Sequence, residues 1–96
     1  MKGIHDRPDP TAETIAFQCQ APQAAKVCLI GDFNNWNAIT HPMRRQADGS
    51  WRLQVPIVQG RHYYQFLVDG EPVLDPHAMY LTLEEPHKKV SFIAVG

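Results

Sequence analysis

Gly60-Arg61-His62-Tyr63-Tyr64-Gln65-Phe66-Leu67-Val68-Asp69-Gly70 decides the fold. Side chains of an extended chain alternate between two faces. Here Tyr64, Phe66 and Val68 share one face, and Tyr63, Gln65 and Leu67 share the other. Aromatic and branched residues suit a pleated, half-buried surface, so 62–68 reads as a strand. Asp69-Gly70 then reverses the chain, because both residues tolerate the positive φ that a tight hairpin demands.

The same period extends outward on both sides. Ile15, Phe17 and Cys19 mark a strand over 14–20, and Val27 and Leu29 mark another over 26–30. A short strand over 43–46 is closed by Ala47-Asp48-Gly49-Ser50. Trp51, Leu53, Val55 and Ile57 then alternate with Arg52 and Gln54. Val73-Leu74 is a short return strand, 77–86 reads as irregular, and 88–95 is the last strand. No helical period is sustained. About seven short strands with turns roughly every ten residues predict an all-β sandwich. Its core is expected to hold Ile15, Phe17, Val27, Leu29, Phe33, Trp51, Leu53, Val55, Tyr64, Phe66 and Val68. Pro8 and Pro10 make 1–12 a flexible leader, and 13–96 is the folded domain.

Ninety-six residues are enough for one domain with a modest core. The formal net charge of −1 provides no field to gather nucleic acid. The N-terminus has no apolar signal segment, and no run approaches a membrane span, so the expected location is cytoplasmic. Two cysteines make no disulfide framework. Cys19 is in phase with Phe17, whereas Cys28 is out of phase with Val27 and Leu29. The two thiols are therefore expected on opposite faces, unbridged, with Cys28 partly exposed.

Chemistry-bearing groups are sparse. The five histidines show no ligand spacing, so no metal and no cofactor is expected. Asp32, Asp48, Asp69 and Asp75 occupy turns, where carboxylates accept backbone N–H groups. Nothing resembles a nucleophile elbow or a phosphate loop, and the chain is read as not an enzyme. One feature stands apart: Gly31-Asp32-Phe33-Asn34-Asn35-Trp36-Asn37, a polar turn containing one large aromatic. Trp36 either folds back to cap the core or offers its ring to a ligand. A ring beside amides suits a sugar, whose C–H faces stack and whose hydroxyls bond.

GDFNNWN followed by DGSW, GRHYYQFLVDG and LDP resembles the family 48 carbohydrate-binding modules, over nearly the whole chain from Thr14 to Val95. These include the glycogen-binding domain of the AMP-activated protein kinase beta subunit and N-terminal domains of isoamylases and branching enzymes. The resemblance implies an immunoglobulin-like (early-set) antiparallel β-sandwich that binds α-glucan without catalysis. It implies that Trp36 is a stacking platform and that Asn35, Gln65, Asn34 and Ser91 bond hydroxyls. Gln65 stands where the family often has lysine, Pro72 where the kinase subunit has a second tryptophan, and Ser91 near an asparagine. Tyr63, in phase with Gln65, is a candidate replacement ring.

The resemblance implies non-catalytic binding of glycogen, starch or maltooligosaccharide; in the resembling enzymes the domain is fused to a larger scaffold, whereas here it is expected to be a stand-alone module. A protein partner in glycogen metabolism or a homodimer is the expected route to function. The alternative is an interaction or dimerisation module of the same fold with a degenerate sugar site. Out-of-phase Cys28, Ile30, Tyr63 and Leu67 would supply its apolar patch.

Overall fold

The computed structural model describes residues 12–82 and 89–96, and the anticipated leader lies almost wholly outside them. Eight strands follow in order: β1 (Ala12–Gln20), β2 (Val27–Gly31), β3 (Arg44–Arg45), β4 (Ser50–Val58), β5 (Gly60–Val68), β6 (Glu71–Val73), β7 (Met79–Thr82) and β8 (Lys89–Val95). They form two antiparallel sheets packed as a sandwich. One has the order β1-β4-β3. The other has the order β2-β5-β8-β7, with β6 also on β5.

The local chemistry accounts for the turns. Asp69 and Gly70 both adopt positive φ, 51° and 86°. Asp69 also accepts the N–H groups of Ala25 (3.0 Å) and Lys26 (2.9 Å), which ties the start of β2 to the hairpin. Asp48 Oδ1 accepts from Ser50 N–H at 2.9 Å and from Ser50 Oγ at 2.6 Å, fixing the turn into β4. These bonds hold the Asp48 carboxyl below its ordinary range.

The core follows the alternation. Phe17, Val27, Leu29, Trp51, Val55, Tyr64 and Phe66 are buried together, and Ile15, Phe33, Leu53 and Val68 pack against them in part. Burying a ring such as Phe66 contributes about 1.5–3 kcal/mol. Trp51 gives its indole N–H to Ala21 O at 2.9 Å, satisfying the one polar group it carries inside. Tyr64 donates to Asp75 Oδ2 at 2.6 Å, and burial together with that carboxylate pushes its phenol far up.

Several expectations need correction. Residues 79–82, read as irregular, form β7 because they pair with β8. Within the polar turn over 31–37, Asp32–Asn34 forms a 3-10 turn. Cys28 is buried rather than partly exposed, and so is Ile30. The reason is tertiary. Leu29 N–H donates to His41 O and Met43 N–H to Val27 O, both at 2.9 Å, and Cys28 bridges Pro42. Strand β2 therefore runs between β5 and the 41–43 segment instead of lying at an open edge. The four-residue apolar patch is accordingly reduced to half-buried Tyr63 and Leu67. Both cysteines are free, as expected, with Cys19 in the core cluster and Cys28 outside it.

Candidate functional site

The loop after β2 is built on Gly31. A Cβ there would stand 2.5 Å from Phe33 Cε2 and 2.7 Å from Tyr63 O. Only a residue without a side chain lets the loop cross β5 so closely. Asp32 then anchors the loop to β5. One carboxylate oxygen accepts Tyr63 N–H at 3.0 Å, and the other meets His62 Nδ1 at 2.9 Å.

Each asparagine has a separate task. Asn34 is the internal brace: its Oδ1 accepts Gly31 N–H at 3.0 Å, and its Nδ2 donates to Leu29 O at 3.1 Å. Thr40 Oγ1 and His41 Nδ1 lie within 3.3 Å of the same nitrogen. Asn37 Oδ1 accepts Ile39 N–H at 2.8 Å and forms the next turn. Asn35 caps the 3-10 turn in the left-handed region, at φ 56° and ψ 33°, and is exposed. Asparagine tolerates that region readily.

Trp36 repeats the left-handed conformation at φ 56°. For a bulky residue this is a true outlier, costing about 1–3 kcal/mol, and such strain gathers at functional positions. Its N–H donates to Gly31 O at 2.8 Å, which locks the geometry. The residue remains 40% exposed. It is not among the residues of the buried core cluster. Ile39, three residues on, is 80% exposed. An apolar residue inside a polar loop was the available signal.

The remaining sequence candidates are placed differently. Tyr63 is half-buried, its ring edge-on to Phe92 at 6.3 Å. Arg61 lies 4.6 Å over that same Phe92 ring. Gln65 is buried, and its Nε2 donates to Lys89 O at 2.6 Å. Ser91 is fully buried opposite Tyr64, and its Oγ accepts Asp75 N–H at 2.8 Å. Pro72 is exposed and faces Leu67 in the β5–β6 pair. The structure thus gathers Asn34, Asn35 and Trp36 in one loop, with Tyr63 at its base. Gln65 and Ser91 serve inside the sheet. Among the described residues no group of three His, Cys, Asp or Glu is placed to hold a metal, and no helix is long and apolar enough to cross a membrane.

The fold is a small two-sheet sandwich with one exposed indole on a braced loop. The sequence profile of Carbohydrate-binding module 48 (Isoamylase N-terminal domain) matches residues 3–82, and the chain belongs to that family. It is 42% identical over 85 residues to the 1,4-alpha-glucan branching enzyme GlgB of Corynebacterium jeikeium (strain K411), covering 85% of this chain and 12% of that enzyme. GlgB of Bradyrhizobium sp. (strain ORS 278) is 37% identical over 68 residues, covering 71% and 10%. GlgB of Deinococcus radiodurans is 37% identical over 70 residues, covering 73% and 10%. The chain spans only 10–12% of the length of these relatives.

Proposed function

We propose that this domain binds α-glucan chains without catalysing their conversion, and that the loop carrying Trp36 is the contact surface. The observation that carries the reading is the indole itself. It is strained at φ 56°, 40% exposed, and held by a loop whose every other polar side chain from Asp32 to Asn37, apart from Asn35, is engaged in bracing. Asn35, the preceding residue, is an exposed amide of the loop, and Ile39 is the loop's other exposed large apolar side chain. Family membership supplies carbohydrate as the ligand class, and the relatives' names supply 1,4-α-glucan.

A full tryptophan presents about 250 Å². An exposure of 40% leaves about 100 Å² for a sugar face. Covering half of that contributes about 1.3 kcal/mol, close to tenfold in affinity. The test is affinity electrophoresis in a glycogen gel with wild type and Trp36→Ala. Retardation of wild type and its loss in Trp36→Ala support the reading. Equal retardation of both moves the site away from this loop, with Tyr63 next to test. The burial of Gln65 and Ser91 favours one rival, an interaction module with a degenerate sugar site, and unretarded wild type would establish it.

A further inference from the structure

The outer face of the β1-β4-β3 sheet carries a second, unrelated constellation. Arg44 and Arg52 are direct cross-strand partners. Directly opposed residues of an antiparallel pair have Cβ atoms about 4.5–5.5 Å apart, and like charges there repel. Both arginines are exposed and line one groove of about 520 Å³, together with Gln18, Gln46 and Gln54. Neither guanidinium has an ion pair among the described residues, where the single pair is His62–Asp32. The Asp48 carboxylate feels the Arg52 charge but accepts its hydrogen bonds from Ser50 N–H and Oγ. Asp75, in the adjoining groove beyond Gln18, is engaged by Tyr64 and by His77 N–H. The chain as a whole carries net charge −1, so two adjacent cations are a local feature, not part of a general basic surface.

From this placement we propose that the groove is a binding site for a dianionic phosphate group, free or as a monoester. Two guanidinium forks match one dianion in charge and in bidentate geometry, whereas a carboxylate would leave one cation uncompensated. Gln18 and Gln54, and the second N–H of the Gln46 amide, whose Nε2 already donates to Arg44 O at 3.0 Å, supply donors for the remaining oxygens. The volume falls within the range of small-ligand pockets and admits a sugar phosphate as well as the bare ion. The site lies on the β1-β4-β3 sheet, whereas the Trp36 loop leaves β2 of the other sheet, so the proposal does not rest on glucan binding.

The experiment is an NMR titration of the ¹⁵N-labelled chain at constant ionic strength and about pH 7.5, where phosphate is mostly dianionic. The probes are inorganic phosphate, glucose 6-phosphate, glucose and acetate. Saturable shifts at Arg44 and Arg52 with either phosphate, absent with glucose and acetate, support the site. Shifts with inorganic phosphate alone identify the free ion as ligand, and shifts with the ester alone identify a sugar phosphate. Arg44→Gln and Arg52→Gln, both at exposed positions and checked for native folding by their amide spectra, each weaken binding at least about tenfold. Trp36→Ala leaves it unchanged. Non-saturable shifts, equal shifts with acetate, or undiminished binding in both arginine variants overturn the proposal.

Discussion

Gly31→Ala tests how the loop is seated. The backbone at Gly31 is extended, with φ −173°, so any residue could adopt it. The obstacle is steric. A Cβ would lie 2.7 Å from Tyr63 O and 2.5 Å from Phe33 Cε2, where ordinary contact begins at 3.4 Å. The Phe33 ring is half-buried and can swing aside. The Tyr63 carbonyl belongs to β5, next to the residue that pairs with Gly31, so β2 must separate from β5 by the missing 3.4 − 2.7 = 0.7 Å. Such overpacking costs about 1–3 kcal/mol. For a domain of this size each kcal/mol lowers Tm by about 4–8 °C, so a fall on the order of 10 °C is expected. Gly60→Ala is the comparison: φ is +122° with nothing within 4 Å, so only backbone strain of about 1 kcal/mol applies. Guanidinium unfolding followed by circular dichroism measures both variants. Glycogen-gel retention should drop for Gly31→Ala, because Gly31 O holds Trp36 N–H, and should persist for Gly60→Ala. A Gly31→Ala variant within about 0.5 kcal/mol of wild type with full retention would refute the reasoning.

Burial pulls the His62 pKa down, but the Asp32 hydrogen bond, the Val58 carbonyl and the Asp32 charge outweigh it and hold it above the ordinary value of 6.5. A raised folded pKa means stability fully present below the unfolded value and lost as pH rises through the folded one. Unfolding free energy should therefore decline above about pH 6.5, and Asp32→Asn should flatten that slope; an unchanged slope would show that the pair is not its source. Tyr64→Phe leaves the Asp75 carboxylate without its 2.6 Å donor and should cost about 1.5–3 kcal/mol in chemical denaturation; a neutral result would mean that water replaces the phenol. Cys19 and Cys28 are 5% and 3% exposed, so neither should react with a thiol reagent in the native protein, while both should react in guanidinium. Rapid native labelling of one thiol would mean that the strip along β2 opens.

The Asp69-Gly70 hairpin is legible because its turn is local, two adjacent residues at positive φ, whereas the bonds from Ala25 and Lys26 N–H to the Asp69 carboxylate are tertiary and are not. The core was legible because period-two alternation is a property of the strand itself, and Phe17, Leu29, Tyr64 and Phe66 follow it. Trp36 was legible as an anomaly, since a large ring in a polar turn lacks an obvious local partner. The roles of its neighbours were not. An amide beside a ring looks alike whether it faces a sugar or a backbone, and here Asn34 faces the backbone.

Cys28 and Ile30 have an outward phase and are nevertheless buried. Phase reports the side of a sheet, whereas exposure also depends on the neighbours that flank a strand, and β2 is flanked by β5 on one edge and by the 41–43 segment on the other. Gln65 and Ser91 passed for surface groups until register set them against Lys89 O and Asp75 N–H. Arg44 and Arg52 are eight positions apart in the chain and become a pair only when β3 meets β4. The sequence by itself determined the strands, the turns and the inward residues, because those depend on neighbours one or two positions away. Tertiary structure alone decided which polar and charged groups remain free, because a hydrogen bond or an opposed charge can come from a strand that the local pattern does not contain.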